Sequence, residues 1–263
     1  MTRTGAILTT SAVVHGGAAM TALVRTDAWP WALGAVLANH AVLTAAGLWP
    51  RSRLLGPNWT RLPPTSRERG EVAITIDDGP DPDVTPRVLE LLDEHRARAT
   101  FFCVGERVER HAELAQEIVR RGHTVENHSQ RHRHSFSLLG PRAMRTEIAR
   151  AQDGISRITG STPQFFRAPA GLRNPFLDPV LTGLGLRLAS WTRRGFDTVN
   201  GNADTVYRRL SGSLRSGDIL LLHDGHAARD AAGRPVILEV LARLLGTLRA
   251  RHLAPVTLRA ALP

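Results

Sequence analysis

Four short clusters in the 263-residue chain carry residue types suited to hydrolytic chemistry. Thr75-Ile76-Asp77-Asp78-Gly79-Pro80 ends an apolar run with two adjacent carboxylates. Side chains alternate across a strand, so the turn at Gly79-Pro80 must bend the chain if both carboxylates are to serve one site. The same run also reads as a solvated turn, and Asp81 and Asp83 extend it toward a calcium loop whose closing glutamate is missing. Asn127-His128-Ser129-Gln130-Arg131-His132 sets two imidazoles four residues apart, which a helical turn would place on one face. Two histidines and one carboxylate suffice for a catalytic zinc and leave a position for water. His134, two residues beyond His132, would face elsewhere on such a turn. Arg167-Ala168-Pro169-Ala170-Gly171 and Leu220-Leu221-Leu222-His223-Asp224 complete the set. Phosphoryl transfer with magnesium at the carboxylate pair is disfavoured, because imidazoles suit zinc or another transition metal better.

The elements that must position these clusters alternate along the chain. Strand patterns fall at 72–76, 99–104, 124–126, 164–167, 187–191, 218–222 and 255–258. Helical patterns lie between them at 84–95, 108–121, 142–158, 175–184, 203–214 and 235–251. Such alternation predicts an α/β fold with a parallel sheet. About seven strands, with polar residues gathered just past their ends, predict a distorted (β/α) barrel, closed or nearly so. A barrel of this kind places its chemistry at the carboxyl ends of the strands, where Asp77, His128, Arg167 and His223 fall.

Taken together, the clusters resemble the polysaccharide deacetylase family, also called the NodB-homology domain or carbohydrate esterase family four. Asp77-Asp78-Gly79-Pro80, His128-Ser129-x-x-His132, Arg167-x-Pro169-x-Gly171 and Leu221-x-His223-Asp224 stand in that family's order over residues 71 to 258. The resemblance implies that Asp78, His128 and His132 ligate a metal, with Zn2+ or another divalent transition metal such as Co2+ as cofactor. It implies Asp77 as general base, Arg167 as the residue orienting it, and His223 as general acid. Pro169, Gly171, Trp191 and Leu221 would be on the substrate side, with Leu221 lining a small pocket for the acyl methyl. One motif departs from the family. Trp191-Thr192-Arg193-Arg194-Gly195-Phe196-Asp197 is the nearest match to an aspartate followed by tryptophan, and Thr198 stands where the tryptophan would be. Asp197, as the group that tunes His223, and the shape of the acyl pocket are the points this departure affects.

The implied reaction is removal of an N-acetyl group from an amino sugar of a glycan or glycolipid. An amide carbonyl is a poor electrophile, so its hydrolysis needs a polarised water, a base, stabilisation of the oxyanion and an acid for the leaving amine. Two other readings use the same residues. One is a deformylase or other N-acyl hydrolase acting on a lipid-linked amino sugar. The other is a membrane-tethered glycan-binding protein with an inactive site, against which the presence of both carboxylates, both histidines and the acid argues.

Residues 6–24 and 31–49 carry no formal charge, and each is about long enough to span a bilayer as a helix. With a tight turn at 25–30, and with Trp29, Trp31 and Trp49 where interfacial aromatics belong, they predict a membrane hairpin over residues 1–50. A signal peptide is the competing reading of the first run. Proline, glycine and arginine mark 51–70 as a linker, and the catalytic domain is expected over 71–263. Arg3, Arg51 and Arg53 lie close to the outer ends of the two runs, against Arg25 alone in the turn. The charge rule therefore favours a bacterial inner-membrane protein with its domain on the cytoplasmic face, an extracytoplasmic domain being the alternative. Basic residues outnumber acidic ones 34 to 24 and all are arginine, a codon-usage pattern without the aromatic interleaving of a nucleic-acid interface. Membrane lipids and the acylated glycan or glycolipid are the expected partners. Oligomeric state is open, and Cys103 reads as a small buried hydrophobe.

Overall fold

A computed structural model describes residues 3–262. It begins with two helices, α1 (Arg3–Val24) and α2 (Trp29–Leu48), joined by a single short turn. Their mean hydropathies of 1.5 and 1.4 and their lengths are enough to cross a membrane. Both helices are predominantly apolar and almost none of their residues is buried against the rest of the protein. Between them, Asn39 Nδ2 donates to Ser11 Oγ at 2.9 Å and the Nε2 atoms of His15 and His40 approach to 3.1 Å.

The rest of the chain runs α3 (Pro64–Glu68), β1 (Glu71–Asp77), α4 (Thr85–Glu94), β2 (Ala99–Cys103), α5 (Gly105–Arg110), α6 (Ala112–Arg120) and β3 (Thr124–Asn127). There follow α7 (Pro141–Thr159), β4 (Phe165–Phe166), α8 (Leu177–Thr182), β5 (Arg187–Leu188) and β6 (Arg193–Arg194). It ends with α9 (Ala203–Ser211), β7 (Ile219–His223), α10 (Val236–Ala250) and β8 (Ala254–Val256). Seven strands in the order β5-β4-β3-β2-β1-β7-β6 form an all-parallel curled sheet, and β8 pairs with β1. Ala73 stands opposite both Ile219 and Val256, so β8 and β7 flank β1 on opposite edges, and β8 precedes β2 on their shared edge. The distorted barrel expected from the alternation is present as a half-barrel. Strand β6 was not anticipated, because two arginines give no strand pattern. The single helix expected over 108–121 is two, broken at His111, whose φ of −123° is not helical.

Strand parity divides the core. Val72, Ile74 and Ile76 with Leu220 and Leu222 face the helices, in one cluster with Val88, Leu89, Leu241 and Leu244. Ala73, Phe102, Phe165, Trp191, Ile219 and Leu221 face the barrel interior. Asp77 and His223 are the next inward positions on β1 and β7 and are register partners, so the pattern that builds the core also sets both at one mouth.

Residues 51–70, whose composition marks them as a connection, are folded onto the sheet. Trp59 bridges to Ala189, its N–H donating to Leu188 O and its carbonyl accepting from Ser190 N, both at 2.9 Å. Thr192 Oγ1 donates to Thr60 O, and Leu62 N donates to Gly217 O. This segment closes the gap between β5 and β6 and buries Leu55, Leu62 and Ser66. The prolines and glycines allow it to satisfy the exposed edges without a regular ladder.

Candidate metal and catalytic site

The mouth of the half-barrel holds a cavity of about 510 Å³ lined by Asp77, Asp78, His128, His132, Leu221 and His223 among others. Asp77 closes β1, and its Oδ1 accepts a 2.6 Å hydrogen bond from Arg167 Nη1. Its Oδ2 lies 3.8 Å from His128 Nε2 and so faces the imidazoles. Arg167 is 1% exposed and threads the barrel interior. It also donates to Thr75 Oγ1, Ala189 O and Ser190 O, and its guanidinium lies 4.1 Å from the centre of the Phe102 ring. Every partner of this buried cation is fixed by a strand or strand end, so Asp77 has little freedom to rotate.

The adjacent Asp78 reaches the same cavity because its backbone is left-handed, with φ at 77°. The bend needed to aim both carboxylates at one site is made at Asp78 itself, followed by a cis Gly79-Pro80 bond. Gly79 packs on Asp224, whose Oδ2 would lie 2.5 Å from any Cβ built there. Asp81, in turn, accepts from the N–H groups of Asp83 and Val84 and so caps the start of α4 rather than forming a calcium loop.

His128 ends the extension of β3, and its Nδ1 lies 2.8 Å from Arg167 O. A carbonyl only accepts, so Nδ1 carries the hydrogen and Nε2 is left to present a lone pair. His132 is not on a helical turn with His128, contrary to the spacing argument. The loop after β3 folds back through left-handed residues at Ser129 (φ 64°) and His132 (φ 48°), and Ser129 Oγ accepts from His132 N. The outcome is the expected convergence by another route, with the two rings 4.8 Å apart. Since no helix governs the loop, His134 also lines the cavity, its ring 6.3 Å from that of His132.

Asp78 Oδ1 lies 3.3 Å from His128 Nε2 and 3.2 Å from His132 Nε2, and it is buried without a hydrogen-bond partner. Ligand atoms of Asp78, His128 and His132 all lie within 4.8 Å of one another. Burial pushes His132 down to about 4, so its imidazole is neutral near neutral pH. Two imidazole nitrogens and an orphaned carboxylate oxygen converging on one point fit a divalent transition metal. Burial opposes ionisation of Asp78, but the surrounding imidazoles, with His226 hydrogen-bonded to Oδ2, hold its carboxyl well below the usual range.

His223 closes β7, and Asp197 receives both its backbone N–H (2.7 Å) and its Nδ1 (2.9 Å). Burial alone would push this imidazole down, but the Asp197 carboxylate overcomes it and raises the pKa to about 8. Despite the missing tryptophan, Asp197 is therefore on the histidine as the resemblance implied, and Thr198 lines the cavity. Trp191, Gly171 and Leu221 line it as well, whereas Pro169 is buried in the turn behind and does not reach it. Gly171 has φ 74°, and a Cβ there would stand 2.6 Å from Trp191.

His226 and Arg107 escaped the sequence reading, and Asp224 stood in its motif there without a role. His226 Nδ1 donates to Asp78 Oδ2 at 2.9 Å, and its Nε2 accepts from Arg107. Asp224 is fully buried and pushed up to about 7, by burial first and by nearby Asp78 and Asp81. His226 lies three residues past His223 in the loop after β7. That position past a strand end was the signal that would have found it.

Fold and site together define a (β/α) half-barrel whose mouth holds an Asp/His/His group that could bind a metal ion. The chain belongs to the polysaccharide deacetylase family, whose model matches residues 65–189. It is 34% identical over 156 residues to a peptidoglycan-N-acetylglucosamine deacetylase of Bacillus cereus, covering 59% of this chain and 72% of that one. It is 32% identical over 187 residues to a chitooligosaccharide deacetylase of a Bradyrhizobium species, covering 68% of this chain and 85% of that one. A pseudoenzyme of the family from Bacillus anthracis shares the fold with a TM-score of 0.70, at 22% identity and 80% and 71% coverage of the two chains. By family the chain is a hydrolase of the polysaccharide deacetylase type.

Proposed function

We propose that the protein is a metal-dependent deacetylase that removes an N-acetyl group from an amino sugar. The observation that carries this reading is the placement of Asp77 and His223 as register partners on either side of the Asp78, His128 and His132 cluster in one cavity. A fold shared with a pseudoenzyme does not confer activity, so the case rests on these side chains. Zinc, or cobalt in its place, held by Asp78, His128 and His132 supplies Lewis acidity and lowers the pKa of water toward about 7.

The chain's own residues divide the proton work. Asp77 Oδ2 faces the cluster while Oδ1 is held by Arg167, so Oδ2 takes the proton as water oxygen bonds to the acyl carbon. Asp197 accepts from Nδ1–H and raises the pKa of His223 to about 8, so the imidazolium carries a second proton on Nε2 toward the cavity. It protonates the sugar nitrogen as the C–N bond breaks, giving acetate and the free amine. Leu221 and Trp191 form the apolar wall suited to an acetyl methyl.

A membrane-associated substrate, glycan or glycolipid, is favoured by one contact. Pro50, the second residue after α2, packs where a Cβ on Gly171 would meet it at 2.8 Å, and its carbonyl accepts from Ser190 Oγ. The residues just past the apolar hairpin thus pack against Gly171 on the cavity rim. Deformylation of a lipid-linked amino sugar is the second reading that this contact supports. We place α1 and α2 across the inner membrane with the domain on the cytoplasmic side, since Arg3, Arg51 and Arg53 lie near the outer ends of the two helices and Arg25 alone lies in the turn. Detergent-purified protein loaded with zinc should release acetate from N-acetylglucosamine oligosaccharides or lipid-linked amino sugars. Release of formate alone would transfer the assignment to the second reading, and release of neither would refute both.

A further inference from the structure

A groove of about 540 Å³ beside the catalytic cavity has no part in the mechanism above. It runs from Trp49, the first residue past α2, to Trp191, and Arg51, Arg193, Arg194, Arg209 and Phe196 line it. No carboxylate is among its lining residues. Arg193 is neutralised behind the wall by Asp218, at 2.7 Å. Arg51, Arg194 and Arg209 have no ion pair among the described residues. Each is held in place by neutral groups. Arg51 donates to Thr192 O, Arg209 donates to Gly195 O and lies over Phe196 at 5.2 Å, and Arg194 lies over Phe196 at 4.9 Å and Trp191 at 5.5 Å. Arg194 Nε is buried without a hydrogen-bond partner. Three guanidiniums without a carboxylate partner among the described residues, Arg51 and Arg209 exposed and Arg194 half-buried, line one groove, and a multiply charged anion with several acceptor oxygens suits them.

Two features identify the anion's carrier. Trp191 and Arg194 line both the groove and the catalytic cavity, so an occupant of one is continuous with an occupant of the other. Trp49, Phe196 and Val199 are exposed at 62%, 43% and 80% beside it, an apolar border next to the end of a membrane-length helix. We propose that the groove is a phosphoryl subsite for the lipid carrier of the substrate. The amino sugar enters the catalytic cavity, its phosphate or diphosphate lies between Arg51, Arg194 and Arg209, and the hydrocarbon leaves past Trp49 into the bilayer. This rests on the hydrolase reading for the sugar's fate but not for the binding of the phosphate.

The test uses the full-length protein in detergent and an Arg51→Gln/Arg209→Gln variant, which leaves the catalytic cavity intact. The substrates are farnesyl-diphosphate-linked N-acetylglucosamine and a neutral N-acetylglucosamine oligosaccharide. The variant is expected to lose at least about tenfold in kcat/KM on the diphosphate substrate, the scale for losing charge-assisted hydrogen bonds, and to keep its value on the oligosaccharide. No loss, or an equal loss on both, would overturn the subsite. Binding of the diphosphate substrate to metal-free protein by calorimetry gives a readout independent of turnover. Tenfold weaker binding by the variant supports the subsite even if neither substrate is hydrolysed, an outcome that would remove the deacetylase reading alone. Competition by phosphatidylglycerol vesicles with no discrimination of the diphosphate substrate would assign the arginines to bulk headgroups and refute the proposal.

Discussion

Replacing Asp197 by asparagine tests whether His223 works as an acid. Asp197 raises His223 from 6.5 to about 8 against the opposing effect of burial. That preference for the imidazolium is worth about 2 kcal/mol. Asparagine removes the charge and leaves burial to act, so the pKa falls to about 6.5 or below. Only imidazolium can protonate the leaving amine, so kcat/KM falls as pH rises through the His223 pKa. From these two values, about half the wild-type histidine is protonated at pH 8 against about 3% in the variant, a deficit of at least roughly fifteenfold. At about pH 5.5 both are protonated, and the deficit from this cause nearly vanishes. The assay is acetate release across the pH range, with metal content and melting temperature as controls. Asparagine can satisfy only one of the two donors that His223 points at Asp197, so some loss of stability accompanies the change. The linkage has a definite sign. A histidine raised by its partner contributes stability fully below about pH 6.5 and loses it as pH rises through about 8, so the variant's stability deficit is larger at low pH. An alkaline limb that stays in place, or moves up, would refute the role of Asp197 and with it the acid assignment.

Exhaustive chelation should abolish activity, and zinc or cobalt should restore it. His128→Ala/His132→Ala should bind no metal by elemental analysis, and retention of stoichiometric metal would refute the ligand set. Asp77→Asn should keep metal and fold yet lose at least about a hundredfold in rate, and near-native turnover would remove it as base. Protease added to sealed right-side-out spheroplasts should leave residues 71–263 intact, whereas digestion without lysis would place the domain outside.

Repetitive parts of the fold were legible because each follows from a local rule. Alternation along 71–77 and 219–223 gives two faces, and Asp77 and His223 inherit their inward direction from the apolar residues before them. Convergence of Asp78, His128 and His132 was legible as a spacing, but its cause was not. The approach depends on left-handed backbone at Asp78, Ser129 and His132, and nothing in those side chains announces it. Long-range partners were equally silent. His226 and Arg107 are 119 positions apart and meet only through the fold. The segment 51–70 misled for a different reason, since the prolines and glycines of a flexible connection also suit a chain that seals an irregular sheet edge.

That seal has a consequence for how the hairpin and the active site relate. The backbone of 50–62 accepts from Ser190 Oγ, hydrogen-bonds Leu188 and Ser190, accepts from Thr192 and donates to Gly217, so it is part of the wall that holds Trp191. Arg167 donates two of its four hydrogen bonds to Ala189 O and Ser190 O on that same wall, and its remaining nitrogen donates to Thr75 and Asp77. A chain of fixed contacts therefore runs from the last turn of α2, through Pro50 and Ser190, to the guanidinium that aims the base. Removing the hairpin up to residue 50 would strip Pro50 from Gly171 and take its carbonyl from the donors Ser190 Oγ and Asn58 Nδ2. The residue that follows the apolar helices is in this sense a structural part of the wall around the site.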